Sequence, residues 1–331
     1  MGGARVMCIR VKSAGMLTTV QDLGRFGLQK YGVLTSGAMD AVALRLANLL
    51  AGNEEGAAAL EITLLGPQLI FEKGAVIALA GGNLSPSIDG MSISLWRPVY
   101  VPAGSTLQFG RTVSGCRTYL AISGGISVPE AMGSRSTYLR AGIGGLHGRA
   151  LEAGDVLEMG EAAEPFKLCS LETIVMPWGA SFAICPAYKE NPVLRVVRGP
   201  EFDTFSEESK HRLWTEPFRV TTQSDRMGYR LADVPLAVAE PVDMISSAVS
   251  TGTIQVPPEG NPIVLLADRQ TVGGYPRIAH VISVDLPLIA QVRPGGYIRF
   301  AEVTQEEAQD LYVKREQEIA QFRQGLSLRI R

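Results

Sequence analysis

A mainly β fold is predicted by three features of this 331-residue chain. Its 36 glycines and 19 prolines follow no period, which favours many tight turns over long helices. Short apolar or alternating runs end on turn residues: 76–80 before Gly81-Gly82, 117–122 before Gly124-Gly125, and 262–267 before Asp268. Helical periodicity is confined to three places. The class expected from the residues alone is therefore a sandwich or barrel with a few short helices and a C-terminal helix.

Each element has a local reason. Residues 101–110, 151–160 and 292–301 share one frame, in which Ala or Pro and then Gly precede an alternating run. The glycine suits a turn position with φ above zero, and the run suits a strand. The third copy lies near the far end, where a second barrel would close. Ser36 is expected to cap a helix over 38–50, with Val42, Leu46, Leu49 and Leu50 on one face. A short charged helix is expected over 201–213. Thr304 and Glu307 form a capping-box pattern that opens a helix from about 305 to 323. The proline-rich, aperiodic stretch between 161 and 192 divides the chain. The expected domains are 1–163 and 193–303, with a linker at 164–192 and a helix and tail at 304–331.

Composition excludes several functions. A 46 % hydrophobic content with a net charge of −2 is the opposite of a disordered composition. The 31 basic and 33 acidic residues give no basic excess for a nucleic-acid backbone. No apolar stretch approaches a membrane span, and Met1 to Val6 open without an apolar leader. Cys8, Cys116, Cys169 and Cys185 stand far apart, as thiols of a reducing compartment do, so a cytoplasmic location is expected. His147, His211 and His280 share no metal-ligand spacing, and no metal is expected. There is no phosphate loop and no G-x-S-x-G elbow. Gly142 to Gly148 approach a dinucleotide fingerprint, but His147 takes the third glycine position, and the segment reads as a glycine-rich turn.

The densest polar cluster is Asp268-Arg269-Gln270-Thr271-Val272-Gly273-Gly274-Tyr275-Pro276, directly after an apolar strand. Gly273 and Gly274 allow close approach of backbone to a ligand, and Arg269 offers a planar fork to a carboxylate or phosphate. An Asp–Arg pair holding a turn would also account for Asp268 and Arg269. Gln270, Thr271 and Tyr275 add polarity beyond what a turn needs. Ser224-Asp225-Arg226-Met227-Gly228 repeats the Asp–Arg arrangement, and Gln255 stands in an otherwise apolar strand. The cluster assigns Arg226 and Arg269 to stabilising anionic oxygen, Asp225 and Asp268 to orienting them or moving protons, and Gln255, Gln270 and Tyr275 to holding the substrate. Gln21, Asp22, Arg25, Ser36 and Asp40 are further substrate-binding candidates, although capping and turn chemistry explains them equally well.

Read in order, Thr18-Thr19-Val20-Gln21-Asp22-Leu23-Gly24-Arg25, Ser36-Gly37-Ala38-Met39-Asp40, Ala47-Asn48-Leu49-Leu50-Ala51-Gly52-Asn53 and Gly81-Gly82-Asn83-Leu84-Ser85-Pro86 carry a family resemblance. Gly124-Gly125-Ile126, Ser224 to Gly228, Gly252-Thr253-Ile254-Gln255-Val256-Pro257 and Asp268 to Pro276 continue it. The series resembles the KipA family, also called allophanate hydrolase subunit 2 or the biotin-dependent carboxyltransferase family, over residues 10 to 303. The resemblance implies tandem cyclophilin-like β-barrel domains. It implies a subunit of an ATP-dependent 5-oxoprolinase that opens 5-oxo-L-proline to L-glutamate, with ATP used by a complex that contains KipI-like and LamB/YcsF-like subunits. Two alternatives come with it. One is carboxyl transfer to urea or another amide with a biotinylated partner. The other is antagonism of KipI, regulating a sporulation histidine kinase by binding alone. After Ile245-Ser246, where the family usually has Glu, this chain has Ser247.

Overall fold

The computed structural model describes residues 7–162, 169–240 and 244–329; the expected boundary at 163/164 and Met1 to Val6 lie outside them. The described residues are mainly β, with four α-helices among them that include a C-terminal one. It divides into two compact units: Met1–Gly24, Asp40–Pro186 and Glu318–Arg331 form unit 1, while Arg25–Met39 and Ala187–Gln317 form unit 2. Segment 25–39, which lies early in the sequence, thus belongs to unit 2.

Unit 1 begins with strands β1 (Met7–Ser13), β2 (Leu17–Gln21), β3 (Ala59–Thr63), β4 (Gln68–Phe71) and β5 (Ala75–Asn83). These are followed by β6 (Pro86–Ile88), β7 (Met91–Ser92), β8 (Pro98–Val101), β9 (Thr106–Phe109) and β10 (Ser114–Ile122). The last three are β11 (Ile126–Ser127), β12 (Val156–Met159) and β13 (Ile174–Val175). They form a seven-stranded sheet, β11-β12-β1-β4-β9-β6-β7, and a six-stranded sheet, β13-β8-β5-β10-β3-β2. Alternation gives the core: Ile9, Val11, Leu69 and Phe71 pack in one cluster with Leu60, Ile62, Ile77, Leu79, Leu120 and Ile122. Helix α1 (Ala41–Leu50) contacts β5 and β10. It starts later than expected, because Asp40 and not Ser36 is its N-cap, accepting from the Ala43 N–H at 2.9 Å. Out-of-core positions of β3 and β10 carry a buried polar group that alternation alone does not predict. The Tyr119 hydroxyl donates to Glu61 at 2.7 Å and accepts from the Asp40 N–H at 2.8 Å. Burial, with Glu61 and Asp40 nearby, raises the Tyr119 phenol well above its ordinary value.

Unit 2 contains β14 (Val193–Arg198), β15 (Phe218–Val220), β16 (Gly228–Ala232), β17 (Ser247–Ala248), β18 (Thr253–Gln255) and β19 (Ile263–Leu265). It ends with β20 (Val272–Gly273), β21 (Arg277–Val281) and β22 (Tyr297–Glu302). Seven of these strands close a barrel in the order β14-β21-β18-β19-β16-β15-β22. β22 completes it by pairing parallel to β14 and antiparallel to β15. Closure removes the open sheet edges. Leu194, Val196, Phe218, Leu231, Ile254, Val264, Ile298 and Phe300 fill the core together with Met39. All three copies of the repeated frame form the expected turn and strand, with Gly104, Gly154 and Gly295 at φ 85°, 95° and 89°.

The other helices are α2 (Glu207–Thr215), α3 (Leu286–Ala290) and α4 (Gln305–Arg329). The expected helix at 201–213 is shifted: Ser206 caps α2 by accepting from the Ser209 N–H, and a 3-10 turn occupies Phe202–Thr204. The capping box at α4 forms in both directions, Thr304 N–H to Glu307 at 2.8 Å and Glu307 N–H to the Thr304 hydroxyl at 3.1 Å. No described helix is long and apolar enough to cross a membrane.

Candidate functional site

β17 and β20 pair antiparallel, with Ser247 opposite Gly273 and Ala248 opposite Val272. Beneath them lies Gln255, whose neighbour Ile254 belongs to the barrel core. Successive strand residues face opposite ways, so Gln255 points out of the barrel. It is nonetheless 1 % exposed, which requires its amide to be satisfied. Its Nε2 donates to the Tyr275 carbonyl at 3.3 Å, and its Oε1 accepts from Gln270 Nε2 at 3.3 Å. Gly273 is glycine for the same reason: a Cβ there would stand 2.4 Å from Gln255 Nε2. The close approach at Gly273 is thus made to Gln255. At Gly274 a Cβ would lie 3.3 Å from Ser246 Oγ.

The arginines of this region divide by how their charge is met. Arg226 is buried and forms a bidentate pair with buried Asp268, Nε to Oδ2 at 2.9 Å and Nη2 to Oδ1 at 3.2 Å. Its Nη2 also donates to the Gly37 carbonyl at 2.6 Å, which ties segment 25–39 to the barrel within unit 2. Arg277 meets Glu201 through Nε at 2.8 Å and Nη2 at 2.6 Å. Arg269 is different. It is half-buried, its Nη1 donates to the Thr251 hydroxyl at 2.7 Å, and its Nε lies 3.4 Å from the Val249 carbonyl. Among the described residues no carboxylate pairs with it, and Nη2 engages no acceptor. Burial lowers its pKa, although a guanidinium stays charged at any physiological pH. The neighbouring His280 is held below its ordinary value, by burial first and by Arg269 second, so its imidazole is neutral near pH 7.

Other candidates hold local structure. Asp225 Oδ1 accepts from the Met227 N–H at 2.8 Å and the Gly228 N–H at 3.3 Å, fixing the turn into β16. Thr271 contributes its carbonyl to the Val249 N–H at 3.1 Å. In unit 1, Asp22 accepts from the Ser134 and Ser136 hydroxyls and from the Arg135 and Gly24 N–H groups. Gln21 Nε2 donates to Thr19 and Thr137, and Asp40 caps α1. In unit 2, the buried Arg25 places its N–H 2.7 Å from the Thr35 carbonyl. Ser36 has φ 51° and a buried hydroxyl without a hydrogen-bond partner among the described residues. Beside the Gln255 cluster is a groove of about 470 Å³ walled by Leu236, Val238, Met244, Val256, Pro257 and Tyr275.

Comparison with known proteins gives the family. The profile of "Carboxyltransferase domain, subdomain A and B" matches residues 31–302. The chain belongs to this carboxyltransferase family. It is 39 % identical over 305 residues to a 5-oxoprolinase subunit of Haemophilus influenzae, covering 92 % of this chain and 94 % of that one. The protein of the same name in Escherichia coli is 40 % identical over 302 residues, with 91 % and 93 % covered. The crystal structure of the K. lactis urea amidolyase superposes with a TM-score of 0.88 at 32 % identity, covering 97 % of this chain. The chain spans only 20 % of that protein.

Within this carboxyltransferase-family chain the sequence reading missed Thr251, Glu201 and His280. His280 lies across β18 and β21 from Thr253, with Nδ1 and the threonine hydroxyl 3.4 Å apart. Only its outward position in an alternating strand could have drawn attention to it. Glu201 carries a pH prediction. The Arg277 fork depresses its pKa below the ordinary 4.5, so the stability it contributes is present above that value and is lost as pH falls through the lower folded value. Replacing Arg277 with glutamine is expected to flatten the acid limb of a denaturation-midpoint profile below about pH 4.5. A variant curve parallel to the wild type would remove the pair from the pH response.

Proposed function

We propose that this chain is a subunit of an ATP-dependent 5-oxoprolinase, acting with KipI-like and LamB/YcsF-like subunits. One observation carries the reading: the match covers more than nine-tenths of both this chain and the 5-oxoprolinase subunits, whereas the chain equals a fifth of urea amidolyase. The overall reaction adds water across the lactam C–N bond. Hydroxyl goes to the carbonyl carbon and the proton to nitrogen, while a second water is consumed as ATP becomes ADP and phosphate.

The geometry around Arg269 supports this substrate. 5-Oxo-L-proline is a small carboxylate with a cyclic amide, and Arg269 is a desolvated cation that meets no carboxylate among the described residues. In this reading Arg269 Nη2 donates to the substrate's anionic oxygen, Gln270 Oε1 accepts from the lactam N–H, and Tyr275 walls the ring. Arg226 and Asp268 hold the frame, and Asp225 shapes the turn. ATP is assigned to the complex. The groove beside Tyr275 is walled by aliphatic, methionine and proline side chains, which would desolvate a triphosphate, so no nucleotide step is routed through these residues.

The second reading is carboxyl transfer to urea or another amide, which the family and the likeness to urea amidolyase favour. There the same apolar walls suit the uncharged ring and aliphatic chain of biotin, whose carboxylated form would supply the transferred group. The test is to purify the chain with its KipI-like and LamB/YcsF-like neighbours and to follow glutamate release from 5-oxoproline. ATP-dependent glutamate that disappears when this chain is omitted is the expected result. Turnover that persists without the chain would overturn the reading, and a stable but inactive complex would turn attention to carboxyl transfer or KipI antagonism.

A further inference from the structure

Of Arg226, Arg269 and Arg277, only Arg269 meets neutral acceptors alone among the described residues, and the nearer of them is Thr251. Nη1 donates to the Thr251 hydroxyl at 2.7 Å, whereas Nε lies 3.4 Å from the Val249 carbonyl. That hydroxyl stands on a turn that the barrel holds firmly. The Thr253 N–H donates to the Ser250 carbonyl at 3.2 Å, which puts Thr251 and Gly252 at the two central positions. Gly252 has φ 96°, and a Cβ there would stand 2.7 Å from the Val281 carbonyl oxygen. Its N–H donates to Leu265 at 2.7 Å and its carbonyl accepts from Val281 at 2.8 Å, so the turn is fastened to both β19 and β21. Glycine meets the conformational need of the turn, and nothing in the turn calls for a hydroxyl at 251. The Thr253 hydroxyl serves the turn itself, accepting from the Ser250 N–H at 3.2 Å, with His280 Nδ1 3.4 Å away. The Thr251 hydroxyl reaches across to Arg269 instead.

We propose that Thr251 is a positioning residue: from a turn fastened to the barrel, its hydroxyl fixes the Arg269 guanidinium through Nη1 and so aims Nη2 at the anionic oxygen of the substrate. This deepens the 5-oxoprolinase reading and rests on its assignment of Arg269 to that oxygen. An arginine side chain loses rotamer freedom when it is ordered, and that loss opposes binding. A planar fork already held by one nitrogen gives up less freedom when the other nitrogen meets a ligand. Without the Thr251 oxygen the charge would stay in place, but the fork would keep only the longer contact to Val249.

The test removes the acceptor while keeping the shape: Thr251→Val against Thr251→Ser, each alone and combined with Arg269→Ala, and each checked for an unchanged unfolding midpoint. Thr251→Ala takes the place of the valine variant if valine lowers that midpoint. In the reconstituted complex Thr251→Val is expected to lower kcat/KM for 5-oxo-L-proline about ten-fold, the low end for a hydrogen bond to a charged group, and Thr251→Ser to stay within about two-fold of wild type. Once Arg269 is alanine, the valine change should add less than about two-fold, because its effect passes through the guanidinium. A comparable loss in that background, equal losses for valine and serine, or wild-type activity of the valine variant would overturn the proposal. A second readout needs no turnover. Phenylglyoxal bonds to both Nη atoms of an arginine, so its adduct at Arg269, followed by peptide mass spectrometry on the full chain, is expected to form several-fold faster in Thr251→Val than in wild type or Thr251→Ser. An unchanged adduct rate would equally overturn the proposal. If the rate rises while no complex, wild type included, turns over 5-oxo-L-proline, the positioning role stands and the oxoprolinase reading fails.

Discussion

Replacing Asp268 with alanine is expected to cost the seven-stranded barrel about 3–5 kcal/mol, because it removes the carboxylate that forms a bidentate pair with the buried Arg226 guanidinium. The change removes two hydrogen bonds at 2.9 and 3.2 Å from a side chain that is 5 % exposed. Water cannot easily replace them there. The Gly37 carbonyl would also lose a reliably placed donor, so segment 25–39 should loosen with the barrel. A double replacement, Arg226→Met with Asp268→Leu, removes both charges and should recover much of the loss, since an apolar pair of similar volume avoids desolvation. The measurement is the denaturant midpoint reported by Trp214, which packs on Phe202 at 5.9 Å between ring centroids, with Trp96 and Trp178 changed to phenylalanine. A loss below about 1 kcal/mol would mean that the pair behaves as a solvated surface bridge.

Replacing Arg269 with alanine is expected to lower kcat/KM of the reconstituted complex by about a hundred- to a thousand-fold, within the range for truncating one partner of a buried, hydrogen-bonded charge pair. The effect on stability should be small in comparison. Among the described residues Arg269 holds no carboxylate, and its removal frees the Thr251 hydroxyl and the Val249 carbonyl. Arg269→Lys keeps the charge but loses the fork, so an intermediate activity is expected. This contrast separates Arg269 from Arg226, whose loss should act first on folding. Activity unchanged by Arg269→Ala would remove that residue from the site.

Much of the candidate site was legible because polar residues gathered directly after an apolar strand. Gln255 stood out as an amide in an apolar run, and it lies against Gln270, Gly273 and Tyr275. The reason for Gly273 was not legible. A glycine marks close approach, but the sequence does not say what approaches, and here it is the Gln255 side chain. Thr251 and His280 carry no motif. They become neighbours of Arg269 or of Gln255 only when β17 pairs β20 and β18 pairs β21. Helix α1 shows a similar limit: Ser36 and Asp40 are both good capping residues, and it is Asp40, whose N–H meets Tyr119, that caps the helix.

The sequence by itself determined whatever depends on neighbours a few residues apart. Period-two alternation set the strands, glycines with positive φ at 104, 154 and 295 set the repeated turns, and Thr304 with Glu307 set the start of α4. Tertiary structure alone decided the electrostatics. Two Asp–Arg dipeptides, 225–226 and 268–269, read as two local pairs. Asp225 accepts from the Met227 and Gly228 N–H groups in the turn before β16, and Asp268 holds Arg226 rather than the arginine that follows it. Pairing of β16 with β19 brings Arg226 to Asp268, 42 residues away, and among the described residues Arg269 is left without a carboxylate. That exchange of partners, set by strand register, turns one arginine into a buried lock and leaves the other open to a ligand.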